Sequence, residues 1–348
     1  MNNTFFIDII IENFKSLRKV ELTDCRRINV LIGKPNVGKS NLLEALSFFS
    51  LAHNRSSERI NPALESYIRY ENSGELFFDG NRQQPIKIQT NLVDCSVHFE
   101  KPNGLIIDFN GNTHKSFIKC QLNKKNGSVL KYSPLTYGAL FKTVKRYIFE
   151  RDNAHNRSKQ ALSPQMLSFL NPPYGNNLME IIEENPILTS DFIALFNEYG
   201  LGLLFDKSNY TLRVLKQLES DKESFLNGIT LPYSSMADTL QRIIFYKTAI
   251  ASNQDSILLL EEPEAHSFPP YIVDITQGMI YAKNNQFFVT THSPFVLNDL
   301  LENGRDELAV FLMDWKDGET IIKKLTDKQL HDIYQYGVDL FTNLETFL

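Results

Sequence analysis

Gly33-Lys34-Pro35-Asn36-Val37-Gly38-Lys39-Ser40 constrains this chain more than any other stretch. It matches G-x-x-x-x-G-K-[ST] without a gap. An apolar run at residues 27–32 that reads as a buried strand precedes it, and apolar residues at helical spacing over 40–51 follow it. The spacing has a chemical reason. Glycines let consecutive backbone N–H groups wrap phosphate oxygens, and the following helix adds the positive end of its dipole. Lys39 can neutralise β- and γ-phosphate oxygens, and the Ser40 hydroxyl can ligate Mg²⁺. Gly33, Asn36, Val37, Gly38, Lys39, Ser40 and the adjacent Asn41 are the candidate phosphate-binding residues. A strand–loop–helix of this type points to an α/β fold.

Two further motifs follow in order. Ile257-Leu258-Leu259-Leu260-Glu261-Glu262 is an apolar strand ending in two acids, which therefore emerge where open α/β sheets place their ligands. Glu261 suits a Mg²⁺-bound water and Glu262 a general base for the attacking water; paired acids alone are often a solvated strand end, and the upstream phosphate loop with Pro263-Glu264 favours function. Gln286-Phe287-Phe288-Val289-Thr290-Thr291-His292 is another apolar strand, ending in a histidine whose position fits a γ-phosphate sensor; the alternative is a structural or surface histidine.

Composition narrows the class. Hydrophobic residues make up 42% of the 348 and charged residues 22%, the balance of an ordinary globular chain. A net charge of −5 argues against a uniformly basic nucleic-acid binder, leaving room for a local basic patch. Cys25, Cys95 and Cys120 lack zinc-ligand spacing and read as small buried hydrophobes. Met1-Asn2-Asn3-Thr4-Phe5-Phe6 has neither the basic nor the long apolar region of a signal peptide. The apolar runs at 257–260 and 287–290 fall far short of the roughly 20 residues of a membrane helix, so no membrane partner and a cytoplasmic location are expected.

Along the chain, strands are predicted at 6–12, 19–22 and 27–32, then β-rich segments at 75–78, 86–91, 96–100, 104–109 and 116–122. Helices are predicted at 140–151, 178–184 and 191–199, and a hairpin at 201–205 with 210–215. Asn171-Pro172-Pro173-Tyr174-Gly175 breaks the helical region. After Asp238 come a helix to about residue 251, strand 257–260, helix 270–283 and strand 286–290. The expected organisation is an N-terminal lobe with an antiparallel β subdomain (1–130), a helical insertion with the hairpin (131–225) and a C-terminal lobe (226–348).

With the three motifs in this order the chain resembles the ABC-type ATPases of the RecF/SMC branch, and most closely the compact bacterial ATPases related to the OLD proteins. Ile11-Glu12-Asn13-Phe14-Lys15-Ser16-Leu17 resembles the opening of that group. Glu261-Glu262-Pro263-Glu264-Ala265-His266 and Thr290-Thr291-His292-Ser293-Pro294 resemble its Walker B and switch motifs. The resemblance implies a P-loop fold with an ABC-type mixed sheet, ATP and Mg²⁺ as ligands, and Lys15 and Ser16 near the base or ribose; the alternative for that pair is a simple turn. It places Ser234-Ser235-Met236-Ala237-Asp238 at the ABC signature, with Ser235 as the signature serine and Asp238 where the family has Gln or Glu; an ordinary N-cap by Ser235 is the alternative. Met236 and Ala237 stand in place of two glycines, and Glu261 in place of the usual aspartate. None of Gln83, Gln84 and Gln89 has the context of a Q-loop glutamine.

The resemblance further implies a homodimer or larger even-numbered assembly closed around ATP, each signature helix facing the partner's γ-phosphate. No space remains for the nuclease domain of full OLD proteins, so a separate effector, in antiviral defence, is expected. The competing reading is a RecF-like repair ATPase that binds DNA through Lys142, Lys145, Arg146, Arg151, Arg157 and Lys159, although such a cluster is more often a solvated face.

Overall fold

The computed structural model describes residues 5–53, 64–100, 104–111, 117–122, 129–132, 144–151, 168–217 and 228–348. The chain forms two compact units, one of Met1–Arg146, Asp255–Glu262 and Met279–Leu348, the other of Tyr147–Gln254 and Pro263–Gly278.

In the first unit, β1 (Ile9–Phe14) and β2 (Leu17–Leu22) form a hairpin across the two-residue turn Lys15-Ser16. β3 (Ile28–Gly33) is buried at all six positions and leads through the phosphate loop into α1 (Lys39–Leu46). α1 buries Leu42, Leu43, Ala45 and Leu46, then tightens into a 3₁₀ turn over Ser47–His53. β4 (Ile86–Thr90), β5 (Val93–Glu100), β6 (Gly104–Gly111), β7 (Phe117–Leu122) and β8 (Val129–Tyr132) extend the hairpin into a seven-stranded antiparallel sheet, in the order β2-β1-β4-β5-β6-β7-β8. β4 alternates buried and exposed residues, as a strand with one core face must.

A second, six-stranded sheet adds β9 (Val144–Tyr147), β13 (Ile257–Glu261), β14 (Gln286–Thr290), β15 (Leu308–Lys316) and β16 (Glu319–Lys324) to β3, in the order β16-β15-β3-β14-β13-β9. β15, β3, β14 and β13 run parallel, and β16 is antiparallel to β15. One apolar core joins the two sheets: Ile9, Ile11, Ile88 and Val97 with Leu42, Leu46 and Phe49, and with Leu31, Leu259 and Phe288. The mixed α/β class with its antiparallel subdomain agrees with the sequence reading.

The second unit contains α2 (Leu178–Glu184), α3 (Pro186–Asn197), the antiparallel strands β10 (Leu201–Asp206), β11 (Thr211–Gln217) and β12 (Gly228–Pro232), and α4 (Asp238–Ser252). Its own core gathers Met179, Ile182, Leu188, Phe192, Phe196, Leu212, Val214, Leu240 and Ile244. Asp206 fixes the predicted hairpin by accepting the N–H groups of Ser208 and Asn209.

Two local expectations are corrected. Residues 144–147 of the predicted helix 140–151 are the strand β9, with all four residues buried; residues 140–143 lie outside the described residues. Cations at spaced positions suggested a solvated helix face, but a sheet edge beside β13 with partners for both cations overrides that preference. Residues 75–78 are not a strand. They form two 3₁₀ turns, Ser73–Leu76 and Phe78–Gly80, the first capped by Asn72, with a single bridge between Phe77 and Phe14. Among the described residues no helix is long and apolar enough to cross a membrane.

Candidate nucleotide-binding site

Strand register brings the three motifs to one edge. Leu31 of β3 pairs with Thr290 of β14, and Thr290 pairs with Glu261 of β13. The phosphate loop, the two acids and His292 therefore leave the sheet side by side at its carboxyl end, although Ser40 and Glu261 are 221 positions apart. In the loop, Asn36 (φ 65°) and Gly38 (φ 100°) are left-handed. A Cβ at Gly38 would lie 2.7 Å from Ser16 Oγ and closer still to Thr320 Oγ1, so glycine is required for both space and conformation. Gly38 also stands at the N-cap of α1 with no side-chain cap, which leaves first-turn N–H groups for a ligand. The Lys39 ammonium donates to the carbonyls of Gly33 (2.7 Å) and Lys34 (2.8 Å). Burial lowers its pKa to about 8, against the opposing pull of Glu262 and Glu261.

Glu261 is held from several directions. Ser40 Oγ donates to its Oε1, Arg146 Nη2 to its Oε2 at 2.7 Å, and Arg69 Nη2 lies 3.6 Å from Oε1. Burial raises its pKa, but Arg146, the Ser40 hydroxyl and Arg69 outweigh burial and keep the carboxyl below its ordinary range. Arg146 is almost fully buried and its other terminal nitrogen donates to Tyr67 O. Arg69 continues the chain of charges, its Nε donating to Glu44 Oε1 at 2.7 Å, and the buried Glu44 also receives Lys15 Nζ.

Glu262, one residue on, is in a different setting. Its backbone is left-handed (φ 42°), a conformation costing a non-glycine residue roughly 1–2 kcal/mol. Its N–H donates to Thr290 O and lies 3.2 Å from Thr290 Oγ1. The carboxylate is half-exposed and lies 3.4 Å from Nε2 of the half-exposed His292. Burial first, then the Lys39 charge, lowers the His292 pKa, with Glu262 acting the other way. The imidazole is thus mainly neutral at neutral pH.

Ser16 and Asn41 join this cluster. Ser16 Oγ accepts from Asn41 Nδ2 at 2.7 Å and from Thr320 Oγ1 at 2.8 Å. Lys15 (φ 47°) turns its amine to Glu44 and to Arg69 O. Ser235 and Asp238 belong to the second unit. Ser235 is exposed and closes a 3₁₀ turn; the N-cap of α4 is Ala237, so Ser235 is not the helix cap. Asp238 opens α4 and pairs with Arg242 at 3.1 Å. Gln83 and Gln84 lie in an exposed turn, and Gln89 on the exposed face of β4.

Sequence reasoning missed Glu44, Arg69 and Thr320, named Thr290 only as part of the switch motif, and gave Arg146 to a nucleic-acid cluster instead of to Glu261. Glu44 alone left a signal, as an acid inside the apolar run Leu42-Leu43-Glu44-Ala45-Leu46. Lys145 and Arg146 are buried, Lys145 donating to Ser256 Oγ at 3.1 Å, so neither presents a charge to a nucleic-acid backbone. Arg151 is exposed, and Lys142, Arg157 and Lys159 lie outside the described residues.

The family model described as "AAA ATPase domain" matches residues 7–166, and the one described as "AAA domain, putative AbiEii toxin, Type IV TA system" matches residues 128–298. The chain is also similar to the DNA replication and repair protein RecF of Caldanaerobacter subterraneus subsp. tengcongensis, 21% identical over 232 residues. These findings support an ATPase of the ABC/AAA type related to RecF. The RecF match covers 64% of this chain and 58% of that protein, so the chain spans less than two thirds of the relative's length. Among solved structures, the SMC head domain from Thermotoga maritima is 13% identical with a TM-score of 0.41, covering 92% of this chain and 99% of that one. The Smc head domain from Pyrococcus furiosus, bound to the C-terminal domain of ScpA, is 12% identical with a TM-score of 0.46, covering 95% and 99%.

Proposed function

We propose that the chain binds ATP with Mg²⁺ and hydrolyses it to ADP and phosphate, working as a homodimer or larger even-numbered assembly. One observation carries the reading: Lys39, Ser40, Glu261, Glu262 and His292 converge at the carboxyl end of β3, β13 and β14. The residues present fit the ligands. The loop at Gly38 has no room for a Cβ, α1 begins uncapped, and the Ser40 hydroxyl with the Glu261 carboxylate is the oxygen donor set that Mg²⁺ prefers. When bound, Mg²⁺ neutralises charge on the β- and γ-phosphate oxygens.

The N–H groups of Asn36, Val37 and Gly38 wrap the phosphates, and Lys39 exchanges its two loop carbonyls for phosphate oxygens. Glu262 accepts the proton of the attacking water, and neutral His292 beside it hydrogen-bonds the γ-phosphate. Ser16 supports the loop at Gly38 and, with Lys15, borders the ribose. Ser235 and Asp238 of a second copy face the same γ-phosphate, and the absence of a side-chain cap on α4 supports that role.

Light scattering of wild type and Glu262→Gln, each with and without ATP and Mg²⁺, tests the reading, with phosphate release followed alongside. The expected variant binds ATP, stops hydrolysing and remains assembled; normal hydrolysis by Glu262→Gln would sink the assignment.

The RecF relative favours a second reading, a DNA-responsive repair ATPase. DNA-stimulated hydrolysis that falls steeply with salt is its signature. A separate effector and a place in antiviral defence are supported by the resemblance to the OLD group alone.

A further inference from the structure

Both carboxylate oxygens of Glu261 are engaged. Ser40 and Arg69 face Oε1 and Arg146 takes Oε2, so each oxygen that would point at a metal ion already faces a donor. The two arginines are held differently. Arg146 is buried and fixed at its other end to Tyr67 O, whereas Arg69 is largely exposed and spans Glu44 and Glu261. Lys15, Lys39, Arg69 and Arg146 surround Glu44, Glu261 and Glu262, so the local balance is cationic. Among the described residues no three acidic, histidine or cysteine side chains converge to hold a metal ion.

We propose that Arg146, assisted by Arg69, keeps Glu261 closed to free divalent cations, so that the site takes Mg²⁺ only together with a nucleotide. A lone dication approaches net positive charge and must compete with a buried, doubly anchored guanidinium. A nucleotide triphosphate reverses that balance, because its charge exceeds that of the ion it carries. Arg146 is a positioning residue: it aims the carboxylate and sets the order of binding. This inference rests on the ATP-binding reading.

The test uses the full chain and Mn²⁺ as the probe, following the free ion by electron paramagnetic resonance with and without a non-hydrolysable ATP analogue. Fluorescent-nucleotide binding is measured on the same samples. Wild type is expected to take up Mn²⁺ only with nucleotide. Arg146→Met is expected to take it up without nucleotide, with nucleotide-free affinity raised by about tenfold or more over the wild-type background, the effect of removing one competing charge. Arg146→Lys should restore the wild-type order, and adding Glu261→Gln to Arg146→Met should abolish the new uptake. Arg69→Gln, on an exposed arm, gives the same change in smaller measure and decides the matter should Arg146→Met not fold by circular dichroism. Wild type that binds Mn²⁺ equally well without nucleotide overturns the inference, as does unchanged nucleotide-free uptake in folded Arg146→Met. Failure of wild type to bind nucleotide at all would sink the ATP reading itself, whereas nucleotide binding with the wrong ion order sinks this inference alone.

Discussion

The phosphate loop of the first unit and the segment 234–242 of the second both offer an uncapped helix start, yet they are built differently. At the loop, Gly38 is left-handed and pressed against Ser16 and Thr320, and the side chains proposed for phosphate, metal and water stand in the same unit. At the second segment, Ala237 caps α4 without a side-chain hydrogen bond, Met236 is turned into the core, and the nearest charge, Asp238, is tied to Arg242, which lies over Phe149 at 4.8 Å. The first is complete in itself. The second offers backbone N–H groups and the Ser235 hydroxyl, with little else. On the proposed function, that difference assigns affinity and chemistry to the loop and a part in assembly to the second segment.

The strongest way to break that division is Glu262→Gln. Loss of a general base typically costs about 10²–10⁴ in rate, and here ATP binding should survive, because Glu262 contacts His292 and Thr290 and acts on the loop only through its charge on Lys39. Phosphate release against nucleotide binding measures both. A comparable loss of binding would mean that the acid also holds the nucleotide. Lys39→Ala should act on the other axis. Removing a charge-assisted contact of roughly 1.5–3 kcal/mol weakens ATP about 10–100-fold in equilibrium binding.

Ser235→Arg sharpens the contrast from the second unit. Ser235 is exposed, so the chain should fold as before. A large cation at an assembly surface should weaken ATP-dependent dimerisation by roughly tenfold or more, with nucleotide affinity at monomeric concentrations unchanged. If affinity falls as far as in Lys39→Ala, the two regions are not separate in function.

How much of this was legible in the sequence follows from where the chemistry resides. A phosphate loop acts through consecutive backbone N–H groups, so its pattern is contiguous and readable. Glu261, Glu262 and His292 terminate apolar runs, and buried parallel strands put their ends at one edge. Arg146 had no such signature. Its partners Tyr67 and Glu261 lie 79 and 115 positions away, and between Lys145 and Tyr147 it resembled a surface cation. Residues 75–78 were misread for a related reason: Phe77 makes one strand-like bridge, but Asn72 and Gly74 wind the chain into 3₁₀ turns around it. Tertiary partners decide such positions, and local pattern does not contain them.

Asp238→Asn probes the smallest effect and the least settled residue. Asp238 starts α4 and pairs with Arg242 four residues on, so it stabilises the helix through the dipole and an i,i+4 ion pair. Together these contribute about 0.5–1 kcal/mol at partly exposed positions. As a purely local anchor, its loss should lower Tm by roughly 1–3 °C and leave ATP-dependent assembly untouched. As a group that faces the nucleotide of a second copy, its loss should change the ATP concentration needed for assembly at nearly constant Tm. Light scattering and calorimetry on one preparation separate the two. The first pattern would make the signature segment a matter of Ser235 and backbone N–H groups alone, widening its contrast with the phosphate loop, where side chains and backbone act together.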